Sequence, residues 1–181
     1  ARGSVPTGTG TPAIVTARAP VGPARGSRLT LSGKVRTRGV QGHAALWMRV
    51  DDARGNILAF DNMFTRGLSG TADWTECTVE LDVPTEAQEI YFGILAPISS
   101  GTVWYDDLSL SLPDRTLNIP GELDLGFESG VVPPTGFAMA APHFDVQAVQ
   151  ENPAQGRACL RISCTAPEHP AAPQPPADRA S

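Results

Sequence analysis

Apolar residues recur with a period of two through the first two thirds of the chain. Across 28–36 they fall at Leu29, Leu31 and Val35, and across 43–51 at Ala44, Leu46, Met48 and Val50. Across 74–83 they fall at Cys77, Val79, Leu81 and Val83, and across 89–96 at Ile90, Phe92 and Ile94. Such alternation over a short run predicts a strand with one face buried. The same reading gives strands over 56–62 and 102–112, with Asp52-Ala53-Arg54-Gly55 as a hairpin turn. The Gly- and Ser-bearing stretch 66–72 reads as a loop, and Pro84 to Ala87 ends a strand. No segment carries a long helical period with caps. Short strands separated by Gly/Pro turns predict an all-β fold, a β-sandwich or jelly roll.

The pattern weakens after Leu112. Residues 113–121 read as a connector, and 122–165 offer shorter strands beginning near 123, 136, 143 and 157. Five of the sixteen residues from Ala166 to Ser181 are Pro, so 166–181 is expected to be a disordered Pro/Ala-rich tail. The Gly/Thr-rich residues 1–11 read as a flexible lead-in without a signal-peptide apolar region. With no initiator Met, the chain reads as processed or as cut from something longer.

Charge changes the picture by exclusion. The chain has 181 residues and a formal net charge of −5, with 41% hydrophobic residues. A phosphate-backbone binder needs a basic stripe, so no nucleic-acid partner is expected. No apolar run is long enough to span a membrane. Cys77, Cys159 and Cys164 are an odd set and read as small core residues rather than a disulfide framework. No nucleophile elbow, zinc-binding helix motif, phosphate loop or dinucleotide fingerprint is present, so no catalysis is expected. His43 and His143 read as strand-opening polar residues, and His169 as solvated.

Three motifs carry a family resemblance: Leu46-Trp47-Met48-Arg49-Val50-Asp51, Phe60-Asp61-Asn62-Met63 and Trp104-Tyr105-Asp106-Asp107. Over 12–112 the chain resembles a galactose-binding-like jelly-roll module, of the carbohydrate-binding-module type that accompanies bacterial tail-specific (C-terminal processing) serine peptidases and other multidomain proteins. Gly126-Phe127-Glu128, Pro134-Thr135-Gly136-Phe137 and the run 156–162 resemble the opening of the same kind of module. The expectation is a circularly permuted sandwich in which 122–165 completes 12–112. The rival is two partial modules.

The resemblance implies a non-catalytic accessory module of a larger bacterial protein, with carbohydrate or an adjacent hydrolase domain as partner. Either it binds a glycan or related surface ligand, or it docks structurally on that hydrolase domain. On the face opposite Leu46, Met48 and Val50, Trp47, Arg49, Asp61 and Asn62 form the candidate ligand-binding set: a flat ring beside planar hydrogen-bonding groups. The alternative is a packing face with Arg49 paired to Asp61. Trp74 and Trp104 read as core. Asp106 and Asp107 interrupt an apolar strand, in which Trp104, Asp106, Leu108 and Leu110 share a face by parity. Related jelly rolls imply a structural calcium at Glu128 with Asp106 or Asp107. The alternative is that these carboxylates bond to backbone N–H groups or to Arg161.

Overall fold

A computed structural model describes residues 11–119 and 123–164; the expectations for the lead-in and the tail fall almost wholly outside them. The chain is an all-β jelly-roll sandwich built from curled antiparallel sheet. Its strands are β1 (Ala13–Ala19), β2 (Arg28–Asp51), β3 (Ile57–Asp61), β4 (Leu68–Asp82), β5 (Glu89–Ala96), β6 (Ile98–Leu112), β7 (Arg115–Thr116), β8 (Ala138–Ala140), β9 (Phe144–Val149) and β10 (Cys159–Cys164). One layer runs β3-β2-β5-β1-β8 and the other β4-β2-β6-β10-β9, with β7 pairing to β6.

Strand β2 belongs to both layers. Its first part pairs with β4 and β6, and its last part with β3 and β5. The sequence suggested two strands here, over 28–36 and 43–51. They are one strand of 24 residues, bent where the register slips between Thr37 and Ala44. Gly39 and Gly42 supply the bend at positive φ, and a side chain at Gly42 would run into the Pro97 carbonyl. The slip also switches parity. The buried residues are Leu29, Leu31 and Val35 before it, and Ala44, Leu46, Met48 and Val50 after it.

Two further differences have similar causes. The expected loop 66–72 is the start of β4, where Gly70 at positive φ sits inside the pairing. Strand β1, Ala13–Ala19, was not anticipated, because its buried row is mostly alanine and carries little hydrophobic signal. The segment near 123 is turn rather than strand, although the Leu108 N–H donates to the Leu125 carbonyl at 2.9 Å.

Residues 123–164 contribute β8 against β1 and β10 against β6. Phe127, Phe137, Leu160 and Ile162 belong to one apolar cluster with Leu31, Phe92 and Ile94. The buried Tyr105 hydroxyl, on β6, crosses to donate to the Leu95 carbonyl at 3.0 Å. Removal from water pushes that phenol far above its ordinary pKa.

At Asp107 the parity of β6 inverts. Asp107 has φ +51, and Asp107 and Leu108 together lie opposite Gly33 in a bulge. Val103 and Tyr105 therefore share the core face with Leu108, Leu110 and Leu112, while Trp104 and Asp106 point to the outer face. This corrects the alignment of Trp104 and Asp106 with Leu108 and Leu110. Trp104 is nonetheless buried, at 2% exposure, as expected, whereas Trp74 is not. It is partly exposed, and its indole N–H donates to the Asn152 carbonyl at 3.0 Å.

All three cysteines are free thiols. Burial pushes Cys77 and Cys159 up to about 11, and raises the partly exposed Cys164 as well. The thiolate is the reactive form. A mild alkylating reagent at pH near 8 is therefore expected to label Cys164 first in the native protein, and all three only after unfolding. Intact-mass measurement checks this.

Candidate functional site: a groove on the outer face of one sheet

The outer face of the β3-β2-β5-β1-β8 layer carries a groove. One transverse row crosses it as Trp47, Gly93, Thr16 and Ala138, and the next as Ala45, Leu95, Ile14 and Ala140. Phe60 stands opposite Arg49 on β3, and Asn62 follows that strand. All of these except Gly93 and Ala45, with Met139, line that groove of about 580 Å³. Gly93 leaves the Trp47 row without a side chain at its middle, so the floor there is bare backbone. A Cβ at Gly93 would collide with the Val15 carbonyl oxygen, so β1 packs too close for any other residue.

Trp47, Arg49 and Asn62 of the sequence-derived set meet in this groove; Asp61 does not line it. The Asp61 carboxylate instead accepts the Met63 N–H at 2.8 Å and pairs with Arg66, which corrects the suggested Arg49–Asp61 pair. The partner of Arg49 is the buried Asp51, at 2.9 Å, and the guanidinium lies 5.0 Å from the Tyr91 ring centre. Its charge is thus largely answered within the protein. The Asn62 side-chain oxygen accepts the Phe64 N–H at 3.1 Å, and its NH₂ remains a donor.

Two donors beside the groove lack partners. Trp47 Nε1 and Arg49 Nε are both buried and make no hydrogen bond. A buried donor left unmade costs about 1–3 kcal/mol, and both atoms are closed off from water. Phe60 is 51% exposed on the rim, although it is a large apolar side chain. The groove can therefore take a molecule with an apolar face and one or more acceptor atoms. Its opposite wall was not legible in the sequence. Ile14 and Thr16 lie on the unanticipated β1, and Ala138–Ala140 lies more than a hundred residues from β1 in the chain.

Asp106, Asp107 and Glu128 serve the β9–β10 connection. Asp106 Oδ2 accepts the N–H groups of Ala154 and Gln155 at 2.8 and 2.9 Å, and Oδ1 accepts the Asp107 N–H at 2.7 Å. Glu128 accepts the Arg157 N–H at 2.8 Å. The Gln155 amide lies against Asp107 at 3.1 Å, its nitrogen donating. Among the described residues no three such groups gather as a cation site. Backbone N–H groups account for Asp106 and Glu128 and a side-chain amide for Asp107, while Arg161 pairs with Asp145 at 3.3 Å. His43 is half-buried within β2 rather than at its start, edge-on to Phe64 at 5.9 Å, and burial lowers its pKa. His169 lies outside the described residues.

No protein-family model matches the chain. The chain is 43% identical over 103 residues to a protein of Bacillus subtilis (strain 168) named as an uncharacterized HTH-type transcriptional regulator, YbfP. That match takes in 54% of this chain and 35% of the relative, so the chain spans about a third of the relative's length. Among solved structures it is similar to the N-terminal CBM22-1-CBM22-2 tandem domain of Paenibacillus barcinonensis Xyn10C. The TM-score is 0.35 and the identity 14%, over 77% of this chain and 42% of that one.

The transcriptional-regulator relative overturns the functional expectation drawn from resemblance. A carbohydrate-binding accessory module, or a structural domain docked on a peptidase-like hydrolase, is not the setting in which this sequence recurs. The motif resemblance was to a fold that many kinds of protein share, and fold does not carry function.

Proposed function

We propose that this sandwich is the ligand-sensing part of a transcriptional regulator, binding rather than catalysing. It holds a small molecule in the Trp47 groove and conveys its occupancy to a DNA-contacting part elsewhere in the protein. The observation that carries this reading is a preformed groove of about 580 Å³ with Trp47 in its lining and the exposed Phe60 ring beside it. That size suits a small-molecule site. The name of the relative supplies the regulatory context. The described residues contain no α-helix, so contact with DNA would fall to another segment. The net charge of −5 agrees with a module that does not itself grip phosphate. With Arg49 answered by Asp51, the ligand is uncharged at that end, flat or apolar on one face, and rich in acceptors.

The test uses a neutral fluorescent probe, N-phenyl-1-naphthylamine, titrated into the chain and then displaced by a panel of uncharged ring compounds. The expected result is one saturable site, weakened about tenfold or more in Trp47→Ala, which loses the ring that forms one wall. A compound that displaces the probe should also change transcription from a reporter controlled by a regulator carrying this chain. Equal binding by Trp47→Ala, or no saturable site, overturns the groove. Displacing compounds that leave the reporter unchanged overturn the regulatory role.

A further inference from the structure

A second site lies on the opposite layer. Arg36 and Arg38 alternate along β2, so both stand on the outer face of the β4-β2-β6-β10-β9 layer. The Arg36 guanidinium lies 4.2 Å from the Trp104 ring centre and 5.2 Å from that of Trp74; Arg38 lies 5.1 Å from Trp104. Register explains the arrangement, since Arg36 on β2 and Arg161 on β10 flank Trp104 on β6.

Arg161 is answered by Asp145, and Lys34, next along the Arg36 row, by Glu76. Among the described residues Arg36 and Arg38 have no carboxylate and no hydrogen-bond acceptor, and Arg36 Nε and Trp104 Nε1 are buried without partners. The two arginines and Trp104 border a depression of about 280 Å³ with Thr37, Thr71 and Asp73. Asp73 is the one acid on its rim, and that carboxylate already accepts the Trp74 N–H at 2.8 Å. Asp106, on the same face of β6, is filled by three backbone N–H groups.

A guanidinium stacked on an indole has its plane fixed, and its N–H edge stays free for a two-oxygen acceptor. Two such groups side by side make a preorganised fork for an oxyanion. We propose that this depression binds the carboxylate or phosphate group of a small organic anion. The volume is several times the 30 Å³ or so of one water, so it admits the anion together with part of its carrier. The site is independent of the Trp47 groove.

The test is a calorimetric and tryptophan-fluorescence titration of the chain with inorganic phosphate and, separately, with citrate. Both are run at low ionic strength near neutral pH against a chloride control of matched ionic strength. The expected result is one saturable site for at least one anion, with Kd raised about tenfold by Arg38→Gln and unchanged by Trp47→Ala. Tighter phosphate binding identifies a phosphate ester as the source, and tighter citrate binding a carboxylate. Arg36→Gln should have a similar effect, but Arg36 is wedged between rings, so the exposed Arg38 decides the matter if that variant unfolds. No saturable binding of either anion below about 10 mM, or equal affinity in a folded Arg38→Gln, overturns the proposal.

Discussion

Phe137→Ala is expected to cost about 3–5 kcal/mol of folding stability and to lower Tm by roughly 10 °C. The reason is its position. Phe137 lies between Phe92 on β5 and Phe127, with ring centres 6.3 and 6.2 Å away, at 72° and 41° between planes. Phe92 is fully buried and Phe127 is 1% exposed, so the three rings form one continuous strip from the middle of a sheet into residues 123–164. Truncating the middle ring removes its own transfer term and leaves a void that two aromatic neighbours cannot easily close. Domains of this size carry about 5–15 kcal/mol in all, so the loss is a large share.

The same variant makes a second, more discriminating prediction. Phe137 directly precedes β8, which pairs with β1 and supplies a wall of the Trp47 groove. If residues 123–164 are part of one cooperative unit, fluorescence from Trp47 and amide signals from β10 should be lost in one transition. Two separated transitions, or a Phe137→Ala protein with wild-type Tm, would show that the later segment folds apart from the sandwich. Urea melts followed by circular dichroism and by NMR settle the point.

The strands that could be read from the sequence are those whose buried row is made of large side chains. Ile90, Phe92 and Ile94 gave β5 to the residue, and Asp52 to Gly55 gave the turn between β2 and β3. Strand β1 was missed because alanines at 13, 17 and 19 carry the packing, and only a partner strand shows that they are buried. The groove was half legible for the same reason. Trp47, Arg49 and Asn62 lie close together in sequence and share a face by parity, whereas the opposite wall is assembled by pairing that local pattern does not encode. Trp104 was misplaced by a single residue, since the bulge at Asp107 inverts the face of everything after it. The cation row at Arg36 and Arg38 was not singled out in the sequence. Its significance depends on Trp104 and Trp74, which come from two other strands.

Asp106→Ala should be the most damaging single change outside the apolar core, at about 3 kcal/mol, and Asp106→Asn much milder. Asp106 is 1% exposed. Its carboxylate holds the β9–β10 loop by two backbone N–H groups at 2.8 and 2.9 Å, and alanine leaves those donors unmade. Asparagine keeps one acceptor oxygen and removes the charge. The charge itself is a liability here. Burial raises the Asp106 pKa above the ordinary carboxylate value, outweighing the backbone donors that lower it. A raised folded-state pKa means that the native protein binds a proton more readily than the unfolded chain. The Asp106 contribution is then fully present below the unfolded pKa and is lost as pH rises through the folded one. This is the reverse of Asp52, whose pKa the Asn56 side chain lowers. Between these two pKa values, the stability of wild type minus that of Asp106→Asn should fall as pH rises and level off above the folded pKa. A difference that instead grows with pH would mean that the backbone donors dominate, with Asp106 acting as a stabilised anion rather than as a strained one.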